Sequence, residues 1–449
     1  MSPDHRAGLS ALLLALVASA GDTAHAQADT TTHPWLPQFL GAQFTVIGQY
    51  LAPFPALYTG PNSLTSHGDR EATHTYGVYF GFGVPGRVEA YVDVEMARGA
   101  AVGHAVGLAG ITNGDVIRQG SIDLGQGPYI ARAFVRYLVP LGREVDTAAR
   151  AMDQLPGPEP GARLEVKIGK LAATDDFDQN RYANSTRLQF CDWALFNNTA
   201  WDYAADTRGY SYGVVFAWVH PRWTVKLGSY LMPTFANGNF LDWSIRHAHG
   251  DNVELTLTPG GAAPVIRLLA YQNHARMGLY AEALARAQGT GQPPSIVADD
   301  QPGRRKHGFG LNLEQPLADS GQTGAFLRAG WNDGRTEDFA FTEVDRHVSV
   351  GLQVAGARWR RSQDRLAVAV VAHGLSPDHR AYLAAGGMGF LLGDGQLNYG
   401  QERILESYYW LQLERHMALS VGGQVIDHPG YNRDRGPAAV GTLRFNLRY

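Results

Sequence analysis

Apolar and polar residues alternate with a period of two along most of this chain, in segments of about ten residues. That length suits a tilted strand crossing a bilayer, and it is too regular for helices of the usual 3.6-residue period. "VEAYVDVEM" sets Val88, Ala90, Val92, Val94 and Met96 against Glu89, Asp93 and Glu95. "YIARAFVRYLV" sets Tyr129, Ala131, Ala133, Val135, Tyr137 and Val139 against Arg132 and Arg136. In "RLEVKIG", Leu164, Val166 and Ile168 oppose Arg163, Glu165 and Lys167. The last nine residues, "GTLRFNLRY", place Leu443, Phe445, Leu447 and Tyr449 on one face and Thr442, Arg444, Asn446 and Arg448 on the other. A two-faced strand of this kind separates an apolar medium from a polar one.

Strands are predicted at 42–50, 75–83, 88–97, 129–139, 163–171, 209–219, 222–231 and 251–258. A second set follows at 264–272, 306–314, 324–331, 346–357, 365–373, 402–413, 417–427 and 438–449. Short connectors such as Val84–Arg87, His220–Trp223 and Glu414–His416 alternate with long ones such as Ala97–Pro128, Ala172–Arg208 and Gln272–Arg305. Alternating short turns and long loops describe an up-and-down barrel, and an even strand count returns the C-terminus to the short-turn side. The fold class is therefore all-β: a transmembrane antiparallel barrel of sixteen strands, with short periplasmic turns and long extracellular loops. Eighteen strands is the alternative, because Leu141–Ala162 is long for a turn and Arg380–Leu397 has room for another hairpin. Tyr76, Tyr79, Tyr129, Tyr210, Tyr212, Trp218, Trp223 and Tyr408–Trp410 lie near strand ends, where a membrane barrel carries aromatic girdles.

The N-terminus reads as a secretory signal: His5 and Arg6, an apolar run over Leu9–Ala18, and a small-x-small site at Ala24–Ala26. Cleavage after about Ala26 leaves one barrel domain over 27–449. The apolar run is too short to span a bilayer as a helix. Cys191 is the only cysteine, so no intrachain disulfide forms. A formal charge of -4 over 449 residues gives no footprint for nucleic acid.

Motifs for chemistry fail on context. "GFGVPG" (Gly81, Gly83, Gly86) matches a dinucleotide-binding string, but the strand "RVEAYVDV" follows it where a phosphate-holding helix is required. His247 and His249 sit in a loop without a third ligand at metal spacing. GxSxG and HExxH do not occur in the sequence. No catalytic residue, metal ligand or cofactor is assigned. The informative groups are the opposed charges Glu89, Asp93 and Glu95, Arg132 and Arg136, and Arg163, Glu165 and Lys167. On a lumen wall such groups hold water and exchange hydrogen bonds with hydroxyls, or pair with one another and brace the barrel.

Several stretches resemble the carbohydrate-selective outer-membrane porins of the OprB type. The clearest is "FDQNRYANSTRLQFCDWALFNNTAWDYAADTRGYSY", Phe177–Tyr212. "RLLAYQNHARMGLY" (Arg267–Tyr280), "GFGLNLEQPL" with "AGWNDGRTEDFAFTEVDR" (within Gly308–Arg346), "YGQERILESYYWLQL" (Tyr399–Leu413) and the closing "NLRY" are similar too. The resemblance implies a sixteen-stranded channel that passes sugars down a gradient without ATP or cofactor, with long loops folded inward. Cys191 and Asp192 depart from the apolar or amide character that the resemblance leads one to expect there. The loop 172–208 is expected to fold toward the pore, where Trp193, Trp201, Tyr203 and Arg208 can stack on sugar rings and bond hydroxyls, or pack the loop against the wall.

The functional reading is an outer-membrane porin with passive, sugar-preferring diffusion, and not an enzyme. Its candidate pore-lining and substrate-contact residues are the charges above with Trp193, Trp201, Tyr203, Arg208 and Arg328. A general or anion-preferring porin using lumen arginines is the alternative, and an outer-membrane barrel enzyme is the third reading. Implied partners are small sugars, outer-membrane lipid, and the barrel-assembly machinery acting through the C-terminal strand. Monomer and trimer are both compatible with the sequence.

Overall fold

The computed structural model describes residues 37–115, 124–339 and 342–449; the signal segment 1–26 lies outside the described residues. The first strands are β1 (Phe39–Leu51), β2 (Asp69–Val84), β3 (Val88–Gly99) and β4 (Tyr129–Pro140). After a small hairpin, β5 (Val145–Ala148) and β6 (Gly157–Pro160), come β7 (Arg163–Leu171), β8 (Ser211–His220), β9 (Trp223–Leu231) and β10 (His249–Leu257). The chain continues as β11 (Val265–Met277), β12 (Gln301–Ala318), β13 (Thr323–Asn332) and β14 (Arg346–Ala355). It ends with β15 (Arg365–Gly374), β16 (Glu402–Glu414), β17 (Met417–Asp427) and β18 (Ala438–Arg448). Sixteen of these close into one antiparallel barrel, while β5 and β6 pair only with each other and β4 pairs directly with β7. Among the described residues, no helix is long and apolar enough to cross a membrane.

Closure joins the two ends of the chain. β1 and β18 pair from Gln43 with Arg448 through Leu51 with Val440. The Tyr449 amide then donates to the Ala42 carbonyl at 2.8 Å, so neither strand keeps a bare edge. The outward face follows the alternation: Ile168, Leu227, Phe309, Val421 and Leu443 are all exposed on the wall. The inward face carries buried polar groups instead, among them Glu89, Asp93, Arg132, Arg328, Glu406 and Arg444. This is the inversion that lipid outside and polar filling inside impose.

Sixteen strands, not eighteen, form the barrel. Leu141–Ala162 holds the separate hairpin β5–β6, whose Gly and Pro content suits a short ribbon rather than a membrane strand. At the Arg380–Leu397 stretch the chain instead begins in the helix Pro377–Ala384. Ser376 caps that helix by accepting from the His379 amide, with Pro377 in the first turn. Several strands outrun their predicted limits; β2 starts at Asp69 and β12 spans Gln301–Ala318, where polar composition hides the continuing ladder.

One face assignment is corrected. Asp93 pairs with Arg132 but Val94 pairs with Ile130, so Ala131 is a bulge. The extra residue turns Tyr129 inward beside Glu95 and puts Ile130 outside at 52% exposure. The aromatic girdle is corrected likewise. Trp218 and Tyr212 face outward, whereas Tyr79, Tyr210, Tyr408 and Trp410 are buried inside the barrel.

Val350 lies mid-strand on β14, opposite Val370 and Leu327, with its side chain exposed on the outer wall. Val350→Arg is expected to destabilise the lipid-inserted barrel by about 2–4 kcal/mol. Denaturant titration in liposomes measures this, and an unchanged midpoint would contradict a lipid-facing Val350.

Candidate functional site: the lumen charges and the segments bound to them

On β3, β4 and β7 the inward charges meet in register. Asp93 faces Arg132 and Glu89 faces Arg136 across the β3–β4 ladder. Arg132 reaches Asp93 at 3.3 Å and grips Asp175 with two bonds of 2.6 and 2.9 Å. Arg136 touches Glu89 at 3.1 Å, Glu159 at 2.6 Å and Glu165 at 2.7 Å. Arg163 bonds Glu165 at 3.2 Å, and Lys167 bonds Asp176 at 2.6 Å. Glu95 accepts from Arg187 at 2.8 Å and from Tyr210 at 2.9 Å. These guanidiniums are planar forks whose fixed donors suit several carboxylates at once.

Three of these contacts tie the wall to the segment between β7 and β8. Asp175 and Asp176 open the long segment between β7 and β8, and Arg187 lies in its middle. Arg187 also bonds Asp115 at 2.6 Å, from the connection between β3 and β4. Thr112 of that connection accepts and donates to Gln49 on β1, at 2.9 and 2.8 Å. The sequence reading did not single out Asp115, Asp175, Glu159 or Arg187. Arg187 was visible only as part of "NSTRLQF", and its partners are set by tertiary folding, not by spacing.

The segment between β7 and β8 is held from several walls. Arg328 on β13 is fully buried; it donates to the carbonyls of Leu195, Asp178 and Ala183 and lies 3.0 Å from the Asp178 carboxylate. Asn312 on β12 donates to Asp178 at 2.7 Å. Arg444 on β18 donates to the carbonyls of Thr186 and Gln189. Glu406 on β16 accepts from the amides of Cys191 and Asp192 at 2.6 and 2.9 Å. Gly324 and Gly330 flank Arg328 on the same face, and any Cβ there would run into Tyr182 or Asn198. Glycine is required for this close approach.

Trp193, Trp201, Tyr203 and Arg328 are buried in packing. Trp201 donates to Asn252 at 2.8 Å and packs between Phe177 and Tyr203. Trp193 meets Phe196 edge-on. Arg208 is half-buried, with its guanidinium 4.2 Å over the Tyr129 ring. Asp192 is fully buried, and burial first, then Glu406, pushes its carboxyl well above the usual range. One oxygen accepts from the Ala194 amide at 2.8 Å. Accepting from a backbone amide is a role that the oxygen of an amide side chain fills equally well. Burial likewise pushes the Cys191 thiol up to about 12, so it acts as a packing group.

A closed sixteen-stranded barrel with an apolar exterior and a charged, hydrogen-bonding interior defines an outer-membrane porin. The sequence profile of "Carbohydrate-selective porin, OprB family" matches residues 147–449, and the chain belongs to that family. It is a sugar-preferring porin of the outer membrane. Pseudomonas putida OprB, in its high-pH structure, superposes with a TM-score of 0.66 at 14% identity, over 92% of this chain and 94% of that one. The outer-membrane channel DcaP of Acinetobacter baumannii gives 0.51 at 10% identity, over 92% and 96%. No curated protein sequence matches this chain.

Arg328→Ala removes one partner of a buried pair and is expected to cost about 3–5 kcal/mol. Unfolding of the refolded variant in detergent tests this; a loss below about 1 kcal/mol would contradict a clamping role. Asp192 gives a pH test. A carboxyl whose pKa is raised by folding loses stability as pH climbs from its ordinary value near about 3.9 toward the folded value. Wild type should therefore lose stability relative to Asp192→Asn as pH rises above about 4. Parallel pH profiles would show that Asp192 stays ionised.

Proposed function

We propose that small neutral sugars cross through the part of the lumen left open beside the segment 172–208, which narrows the channel. Inward side chains of β12, β13, β16 and β18 all bond that one segment, which supports its place inside the barrel. The route is lined by those members of the charge ladder that keep part of their surface, such as Arg163, Glu159, Lys167 and Asp175. Donors and acceptors then alternate within reach of a polyhydroxyl solute, whose hydroxyls can do both. No single contact holds the sugar tightly, which flux requires.

The observation that favours neutral sugars over anions is pairing. Arg132, Arg136, Arg163, Arg187 and Arg328 each lie within 4 Å of a carboxylate. Their charge is largely cancelled locally, so they bind hydroxyls better than they draw anions. Removal of residues 1–26 on export, contact of the outer wall with membrane lipid, and delivery by the barrel-assembly machinery through β18 complete this reading. A channel of this kind performs no covalent chemistry.

Liposome swelling with a panel of solutes tests the proposal. Mono- and disaccharides should enter faster than neutral non-sugars of equal size. Equal rates would remove the sugar preference and leave a general porin.

A further inference from the structure

A second buried cluster takes no part in the ladder. It lies at the loop end of β12 to β15. Asp338 and Asp345 come from the connection between β13 and β14, and His379 from the helix Pro377–Ala384 in the next long connection. One ligating atom of each lies within 4.8 Å of the other two, and all three residues are buried.

Each of the three has one atom committed and one open. Asp338 Oδ1 pairs with the Lys306 ammonium, while Oδ2 has no hydrogen-bond partner. Asp345 Oδ2 accepts from the Ser376 amide at 2.7 Å and faces His379 Nδ1 at 3.2 Å, while Oδ1 has no partner. His379 Nε2 is likewise without one, and the Tyr280 ring stacks on the imidazole at 4.4 Å, fixing its plane. A ligating histidine typically gives its other nitrogen to a carboxylate, and ligating carboxylates are themselves held by outer donors. That is the pattern here.

Charge balance points the same way. Asp202 and Glu343 border the cluster, 3.5 Å from Lys306 Nζ and 4.0 Å from His379 Nε2 respectively. Four carboxylates thus face one ammonium and one imidazole. Open carboxylate oxygens without water or a counter-charge are costly to bury. Lys306 supplies one positive charge, and a divalent ion supplies the remainder.

We propose that Asp338, Asp345 and His379 bind a divalent transition-metal cation that ties the β13–β14 connection to the helix Pro377–Ala384. Two carboxylates and an imidazole in a closed site suit Zn2+ or Mn2+. Ca2+ wants six to eight oxygens, which three buried side chains do not provide. The ion clamps two loops at the outer mouth, apart from the ladder that lines the sugar route.

The test uses the full barrel in detergent, stripped with chelator and reloaded with Zn2+, Mn2+, Ca2+ or Mg2+ in parallel. Elemental analysis after dialysis should find one Zn2+ or Mn2+ per chain. Asp338→Asn and His379→Gln should each weaken Zn2+ binding at least about tenfold while the barrel keeps its heat-modifiable gel mobility. Co2+ loaded into the wild type needs no variant, and its absorption bands should report carboxylate and imidazole ligation. Absence of stoichiometric metal, binding of Ca2+ alone, or Zn2+ binding unchanged in both variants would overturn the proposal. The first of these outcomes would mean that Lys306 and His379 balance the cluster alone.

Discussion

Lipid offers no hydrogen bonds, and the rest of this structure depends on that constraint. Every backbone amide of the wall must find its partner in a neighbouring strand, so the sheet must close. The pairing of β1 with β18 meets that demand. Closure creates an interior in which apolar packing, such as Phe190 on Phe326 and Tyr408, lies beside inward polar groups. Inward side chains must then be satisfied by one another, by water, or by chain folded back inside.

The polar part of the interior is built from charge pairs and backbone clamps. Taken singly, a buried ion pair contributes little net stability, because desolvation offsets attraction. Its asymmetry matters more: once Arg132 or Arg328 is buried among its acceptors, losing either partner strands a charge. The same interaction therefore braces the wall, anchors the segment between β7 and β8, and leaves a polar ladder on the solvent-facing side. Members of one network differ in how far they are enclosed. Asp93 and Arg328 are enclosed, whereas Asp175 and Lys167 keep part of their surface.

Much of the fold was legible because a membrane barrel writes its two solvents into alternate residues. The inward set Glu89, Asp93, Arg132, Arg136, Glu165 and Lys167 follows from that alternation alone. It misled where the period broke: the bulge at Ala131 shifted Tyr129 inward without any signal in composition. Aromatic residues were equally ambiguous, since Tyr408 and Trp410 pack inside while Trp218 faces out. The partners of Arg187 and Arg328 could not be read at all. They come from loops distant in sequence, and only tertiary folding brings Asp115 or Asp178 to them. The Asp338–Asp345–His379 cluster escaped for the same reason, having no ligand spacing within one element.

The proposed preference for neutral sugars over anions rests on the pairing of the lumen charges. Reversal potential across a planar bilayer in a salt gradient tests it most directly. The expected potential is near zero, with weak preference for either ion, because Arg132, Arg136, Arg163, Arg187 and Arg328 each lie beside a carboxylate. A strong anion-selective potential would contradict it and make the arginines an electrostatic filter.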